Sequence, residues 1–322
     1  MFVIAGLFAY AVLLGGPVAW LLTRARWVTR FPQAALRSWH ACALSLLASV
    51  AGALVVAAHN LWEGGLVWLF DADEPLVDKA YGAPWLVTTD IPQGASVLLF
   101  LGSVTLGALT LRCLLTHRRE REYHRLTVDA LGTSCSTRDP DVHVLPNASP
   151  AVFCIPGSKE SARIVATTAA LETLSEAELA AALEHERAHL AYRHHRAFLV
   201  ADVLTAAFGW SGLTRGYAQQ VRRLAEMAAD DRAALKHGRR AVASALLEMC
   251  TVGTAPEASE LPSMTGPDPA ERIRRLIKAA PTQVRAATPA LSLAMTALMP
   301  TLPLALVLAP AALLTGTAHM DC

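Results

Sequence analysis

The sequence predicts a mainly α-helical membrane protein: about four transmembrane helices plus a cytoplasmic α+β domain with a small β-sheet. Three observations lead there. Of the 322 residues, 53% are hydrophobic and 17% charged, and the mean hydropathy is +0.36, too apolar for an ordinary soluble protein. Four stretches are long and apolar enough to cross a bilayer. Between the third and fourth lie short β-branched runs followed by helical patterns, in a segment of about 170 residues, enough for one domain with its own core.

The spans come in order. The first runs over roughly residues 2–22, the second 41–61, the third 95–115 and the fourth 290–314, each near the ~20 residues that a ~30 Å hydrocarbon core requires. They define a membrane region over 1–115, a cytoplasmic domain over 116–287 and a last span with a short outer tail over 288–322. No basic segment precedes the first span and no small-residue cleavage site follows it, so it reads as an uncleaved anchor. Pro300, Pro303 and Pro310 predict a kinked fourth span.

Arginine placement orients these spans. Arg24, Arg26, Arg30 and Arg37 fill the first connection, and Arg118, Arg119, Arg121 and Arg125 follow the third span. Arg274, Arg275, Lys278 and Arg285 precede the fourth, whereas the second connection holds Glu63, Asp71, Asp73, Glu74, Asp78 and Asp90. Basic residues stay on the cytoplasmic side, so both termini are expected outside the cell membrane and the large domain inside. A net charge of +1 argues against a nucleic-acid partner. The six cysteines form no CxxC pair, which supports neither a thiolate metal site nor a redox motif.

In the cytoplasmic segment, Val142 to Leu145, Ala151 to Ile155 and Arg163 to Thr167 read as strands, separated by Pro146, Asn147, Pro150, Pro156 and Gly157. Ser175, with Glu178 three residues on, is a capping box that opens a helix expected to reach about His195. The apolar run Phe198 to Phe208 is too short to span and reads as a buried helix. A further helix is expected from near Tyr217 to Lys236, stopped by Gly238.

The first of these helices carries His185, Glu186 and His189 in HExxH spacing. Residues four apart share a helix face, so both imidazoles can reach one zinc ion, and Glu186 lands beside it as a general base. A hydrolytic zinc site needs a third protein ligand, and the later helix offers Glu226, with Asp230 one turn on to hold a ligand histidine in its tautomer. One zinc ion per chain is expected. The bland alternative for each residue is an ordinary polar helix face; the pairing of HExxH with a downstream acidic helix favours the metal site. His194 lies off the metal-facing stripe and reads as a surface or supporting group, not a ligand. Cys154 reads as a packed thiol, and Asp202 as either a neighbour of the site or a buried polar cap.

The pattern AALEHERAHLAYRHHR followed by EMAADDRAAL resembles the integral-membrane gluzincin metallopeptidases, most nearly the BlaR/MecR antirepressor peptidases and more distantly HtpX-type and CAAX prenyl proteases. The resemblance covers about Val142 to Leu276. It implies a zincin-type domain with His185, His189 and Glu226 as zinc ligands and Glu186 as base, Asp230 matching the aspartate of ExxxD. It implies a protein or peptide substrate, a transcriptional repressor in a signalling pathway, with membrane-protein quality control as the alternative. Two departures stand out. The element around Arg272 lacks the histidine of HtpX-like relatives, leaving Arg272 a structural or substrate-orienting role. The sequence also ends soon after the last span, so β-lactam sensing by a penicillin-binding domain is not carried over. The strand containing Ala151, Val152 and Phe153 is expected to pair with an extended substrate. A zinc-binding signalling scaffold without turnover is the rival from another class; Glu186 speaks against it, since a scaffold needs no base. Oligomeric state is not legible.

Overall fold

The computed structural model describes residues 2–58, 81, 90–134, 142–158, 161–252, 268–278, 294 and 296–309. The chain divides into two compact units, one formed by Met1–Val28, Arg37–Leu109 and Ala286–Cys322, the other by Thr29–Leu36 and Thr110–Arg285.

The first unit holds the apolar helices. Helix α1 (Phe2–Arg24) relaxes into a π-turn over Leu14–Val18 around Pro17, whose ring cannot supply the usual amide. A short α2 (Arg26–Arg30) leads to α3 (Pro32–Ala57), and α4 runs unbroken over Ile91–Leu131. α1, α3 and α4 are each long and apolar enough to cross a membrane. Within the fourth expected span, Thr296–Ala309 is helical; the rest of that span apart from Ala294, and the acidic loop apart from Tyr81 and Asp90, lie outside the described residues. This last helix passes straight through Pro303, which cannot donate to the Met299 carbonyl one turn back. Tyr10 donates to that carbonyl instead, at 3.0 Å. Leu7, Val56, Tyr81 and Val307 pack together, and a Cβ on Gly52 would come within 3.0 Å of Val307, so a glycine there allows α3 and the last helix to approach closely.

The second unit is a mixed sheet between helices. Strands β1 (Thr133–Ser134), β2 (Val142–Leu145), β3 (Val152–Ile155) and β4 (Arg163–Thr167) lie in the order β1-β2-β4-β3. β2 and β4 are parallel, and β3 runs antiparallel to β4 at the sheet edge, with Val152 opposite Ala166. Helices α5 (Thr168–Thr173), α6 (Glu176–Tyr192), α7 (His194–Phe208), α8 (Gly212–His237), α9 (Arg239–Val252) and α10 (Pro269–Ile277) follow. One sheet face packs Val152, Ile164 and Ala166 on Leu179, Ala182 and Leu183 of α6. The other packs Phe153, Ile155 and Val165 with Val128 from the end of α4. The two-residue alternation of β3 thus sends Val152 towards α6 and Phe153 away from it. The small residues Ala181, Ala182, Ala225, Ala228 and Ala229 are buried on α6 and α8, which lets those two helices lie close.

Two boundaries differ from the sequence reading. The capping box forms as expected, with both Ser175 and Glu178 bonding the backbone. The helix, however, ends at Tyr192 instead of near His195: Arg193 takes the left-handed conformation (φ 55°) and a new helix starts at His194. No glycine marks that break; it is imposed by packing. α8 also begins at Gly212, ahead of the expected start near Tyr217, because Ser211 caps it through Leu213 N–H.

Candidate metal centre

α6 and α8 bring three donors together. Glu226 lies 37 positions after His189 in the sequence, yet the ligand atoms of His185, His189 and Glu226 lie within 4.8 Å of one another. The separations are 3.1 Å between the two histidine Nε2 atoms, 3.4 Å from His185 Nε2 to Glu226 Oε2, and 3.5 Å from His189 Nε2 to Glu226 Oε1. Bonds of about 2.0–2.2 Å to a tetrahedral zinc ion put its donors roughly 3.3–3.6 Å apart, so this triangle has the dimensions of three tetrahedral vertices. The donor types, two imidazoles and a carboxylate, also suit zinc.

Each donor is held by a neighbour. His185 is fully buried, and its Nδ1 lies 3.0 Å from Asp230 Oδ1, which turns Nε2 towards the other two donors. Asp230 is buried as well, and Arg272 meets it through two N–H groups, Nε at 2.8 Å and Nη2 at 2.7 Å. The third arm of the same guanidinium, Nη1, lies 3.0 Å from Glu226 Oε2. Burial opposes ionisation of both acids, but Arg272 and His185 hold the Asp230 carboxyl well below its usual range and Glu226 down to about 2. Both are therefore carboxylates. Burial pulls His189 down to about 4, leaving a neutral ring that can donate a lone pair.

His194, expected as a surface or supporting group and not as a ligand, is 1% exposed, and its Nδ1 sits 3.0 Å from His189 Nδ1. The left-handed Arg193 folds it back. An unbroken helix would have carried it round to another side, and no local signal in the sequence announces the break.

Glu186 is buried, and that burial pushes its carboxyl up to about 7, near neutrality, where it can both take and return a proton. Burial raises the thiol of Cys154, on β3, well above its ordinary pKa, with the Glu186 carboxyl adding to the rise, so it stays a neutral S–H and not a thiolate. Ala151, Val152 and Phe153 are only 4%, 0% and 2% exposed, backbone included, so all three belong to the core although β3 ends the strand order. Arg272 is 1% exposed and committed to the two acids, which removes it from direct contact with substrate.

α10 brings Arg272 to the site. Asp268, in left-handed conformation, caps it through Glu271 N–H, and Glu271 and Arg275 then clip it to Arg223 and Asp231 of α8. On the other side of the site, Glu184 of α6 receives Arg232 and Lys236 of α8, each at 2.9 Å. Asp202, left open by the sequence, binds His117 of α4 at 3.1 Å and Arg222 of α8, away from the three donors.

The family model described as peptidase family M48 matches residues 116–280, just over half of the 322-residue chain. The chain belongs to peptidase family M48. M48 peptidases are metalloproteases, in keeping with the two-histidine, one-glutamate cluster found inside the matched segment. Among curated proteins, a stretch of 82 residues is 34% identical to a protease HtpX homolog of Acidiphilium cryptum (strain JF-5), covering 26% of this chain and 29% of that one. The chain thus spans under a third of that relative's length. No solved structure matches it.

Proposed function

We propose that this M48 protein is a membrane-bound zinc endopeptidase that cleaves a protein substrate at the cytoplasmic face. The observation that carries the reading is the donor triangle of His185, His189 and Glu226, with edges near those of a tetrahedral zinc site, and the proton acceptor Glu186 next in the chain to His185. The chemistry a zinc ion supplies in such a site is Lewis acidity, which lowers the pKa of water towards neutrality and polarises a carbonyl. Glu186 takes the proton from the attacking water and passes it to the leaving amine. Asp230 and Arg272 keep His185 and Glu226 in place while charge develops. β3, the last strand in the sheet order, is where an extended substrate would align by strand pairing. Arginine placement supports a cytoplasmic domain, the N-terminus lying outside.

For the substrate, the resemblance of AALEHERAHLAYRHHR to BlaR/MecR peptidases supports a transcriptional repressor. Purified full-length protein carrying Glu186→Gln should keep its zinc and lose peptide cleavage, whereas Glu226→Ala should lose zinc as well. Wild-type cleavage by the Glu186 variant would refute the mechanism. Comparing the cytoplasmic proteins of cells that express wild type and the Glu186→Gln variant identifies the substrate, as the protein that stays intact only with the variant. A cleaved membrane protein, with every repressor intact, would refute the repressor reading while leaving the peptidase standing.

A further inference from the structure

The turn between α7 and α8 carries Trp210, which is 81% exposed and follows Ala206, Ala207 and Phe208. A side chain of that size is usually covered, with its N–H end alone reaching water. The geometry of the same unit says what covers it. Near the start of α7, His195 feels Arg121 of α4, which after burial itself is the largest influence lowering its pKa. Seven residues later Asp202 binds His117 of α4 at 3.1 Å. Moving along α7 therefore retreats along α4 from Arg121 to His117, towards its apolar part, which ends at Leu115. α7 runs six residues beyond Asp202 to Phe208, about 9 Å further in that direction at helical rise, and Trp210 stands in the turn that follows. That distance takes the turn to the level where α4 enters the bilayer.

The charges agree. From Val203 to Ala225 there is no Asp or Glu. Arg222 and Arg223 are taken up by Asp202 and Glu271, while Arg215 is exposed beside the tip, donating to the Gly209 carbonyl. Arg118 and Arg119 are exposed just past the end of the apolar part of α4. Tryptophan with flanking arginines is the composition of a membrane–water interface facing anionic headgroups.

We propose that the α7–α8 turn seats Trp210 in the interface of an anionic bilayer, a membrane contact separate from the spanning helices. α7 then works as a strut: it begins at His194, against His189, and ends at the lipid. This anchoring stands whether or not the site hydrolyses peptides.

The test uses the full chain in nanodiscs of phosphatidylcholine and phosphatidylglycerol. A fluorophore is attached to Trp210→Cys, with labelled wild type giving the background from native cysteines and Leu235→Cys, 88% exposed near the other end of α8, as the aqueous control. The Trp210 label should be quenched by lipids carrying a nitroxide near the headgroup and be several-fold less accessible to iodide than the Leu235 label. Equal iodide access at the two sites overturns the proposal. So does shielding from iodide without lipid quenching, which would mean that protein covers the turn. Because the cysteine removes the aromatic ring itself, brominated lipids are also tested on the unlabelled chain. Wild type should show a quenched tryptophan component that Trp210→Phe lacks, and identical quenching of the two overturns the proposal.

Discussion

His189 is gripped through both ring nitrogens. With its Nε2 bound to a metal ion, Nδ1 would carry the proton and donate to His194 Nδ1, 3.0 Å away. His194 thus does for His189 what Asp230 does for His185. Replacing such a partner typically costs 10–100-fold in metal affinity. His194→Leu should weaken zinc binding by about that factor in chelator competition, and His194→Gln, which keeps an acceptor, should recover part of it. Arg272 is the other decisive residue. Arg272→Leu leaves Asp230 and Glu226 buried without their counter-charge, a loss of roughly 3–5 kcal/mol that denaturant titration would detect. Arg272→Lys should not restore it, since a single ammonium cannot reproduce the paired N–H contacts. The HExxH residues and the Glu226–Asp230 pair were legible because i, i+4 spacing is a property of one helix. The partners of Arg272 were not, since they lie 42 and 46 positions away and meet it only after α10 folds back on α8.

At the scale of elements, the break at Arg193 decides where α7 points. A non-glycine residue in the left-handed region costs roughly 1–2 kcal/mol. Arg193→Gly should therefore raise the unfolding free energy by up to about 1 kcal/mol, and Arg193→Val should lower it, as read from thermal melts. If both variants melt below wild type, contacts of the Arg193 side chain outweigh its backbone strain. The capping box, the three strands and the stop at Gly238 could be read directly, because caps and turns act within a few residues. The break could not, as RHHR carries no helix-terminating residue. Its cause is non-local: His194 is buried against His189.

For the whole molecule, the arginine distribution makes a topological prediction. In sealed inside-out vesicles, a tag at the N-terminus should be protected from added protease, and one inserted at the exposed Gly238 turn should be digested. The opposite pattern would place the peptidase unit outside. Composition and span length by themselves determined that the chain is a membrane protein with a separate α+β unit, because bilayer crossing depends on the hydropathy of contiguous residues. Spacing by itself also nominated His185, Glu186, His189 and Glu226. Only the tertiary structure decided that the ligand atoms converge to zinc-sized separations, that Arg272 is a buried counter-charge, that His194 turns back to His189 and that Trp210 stands in the open. Those features depend on contacts between elements, whose geometry is set by packing and has no signature in any short stretch of sequence.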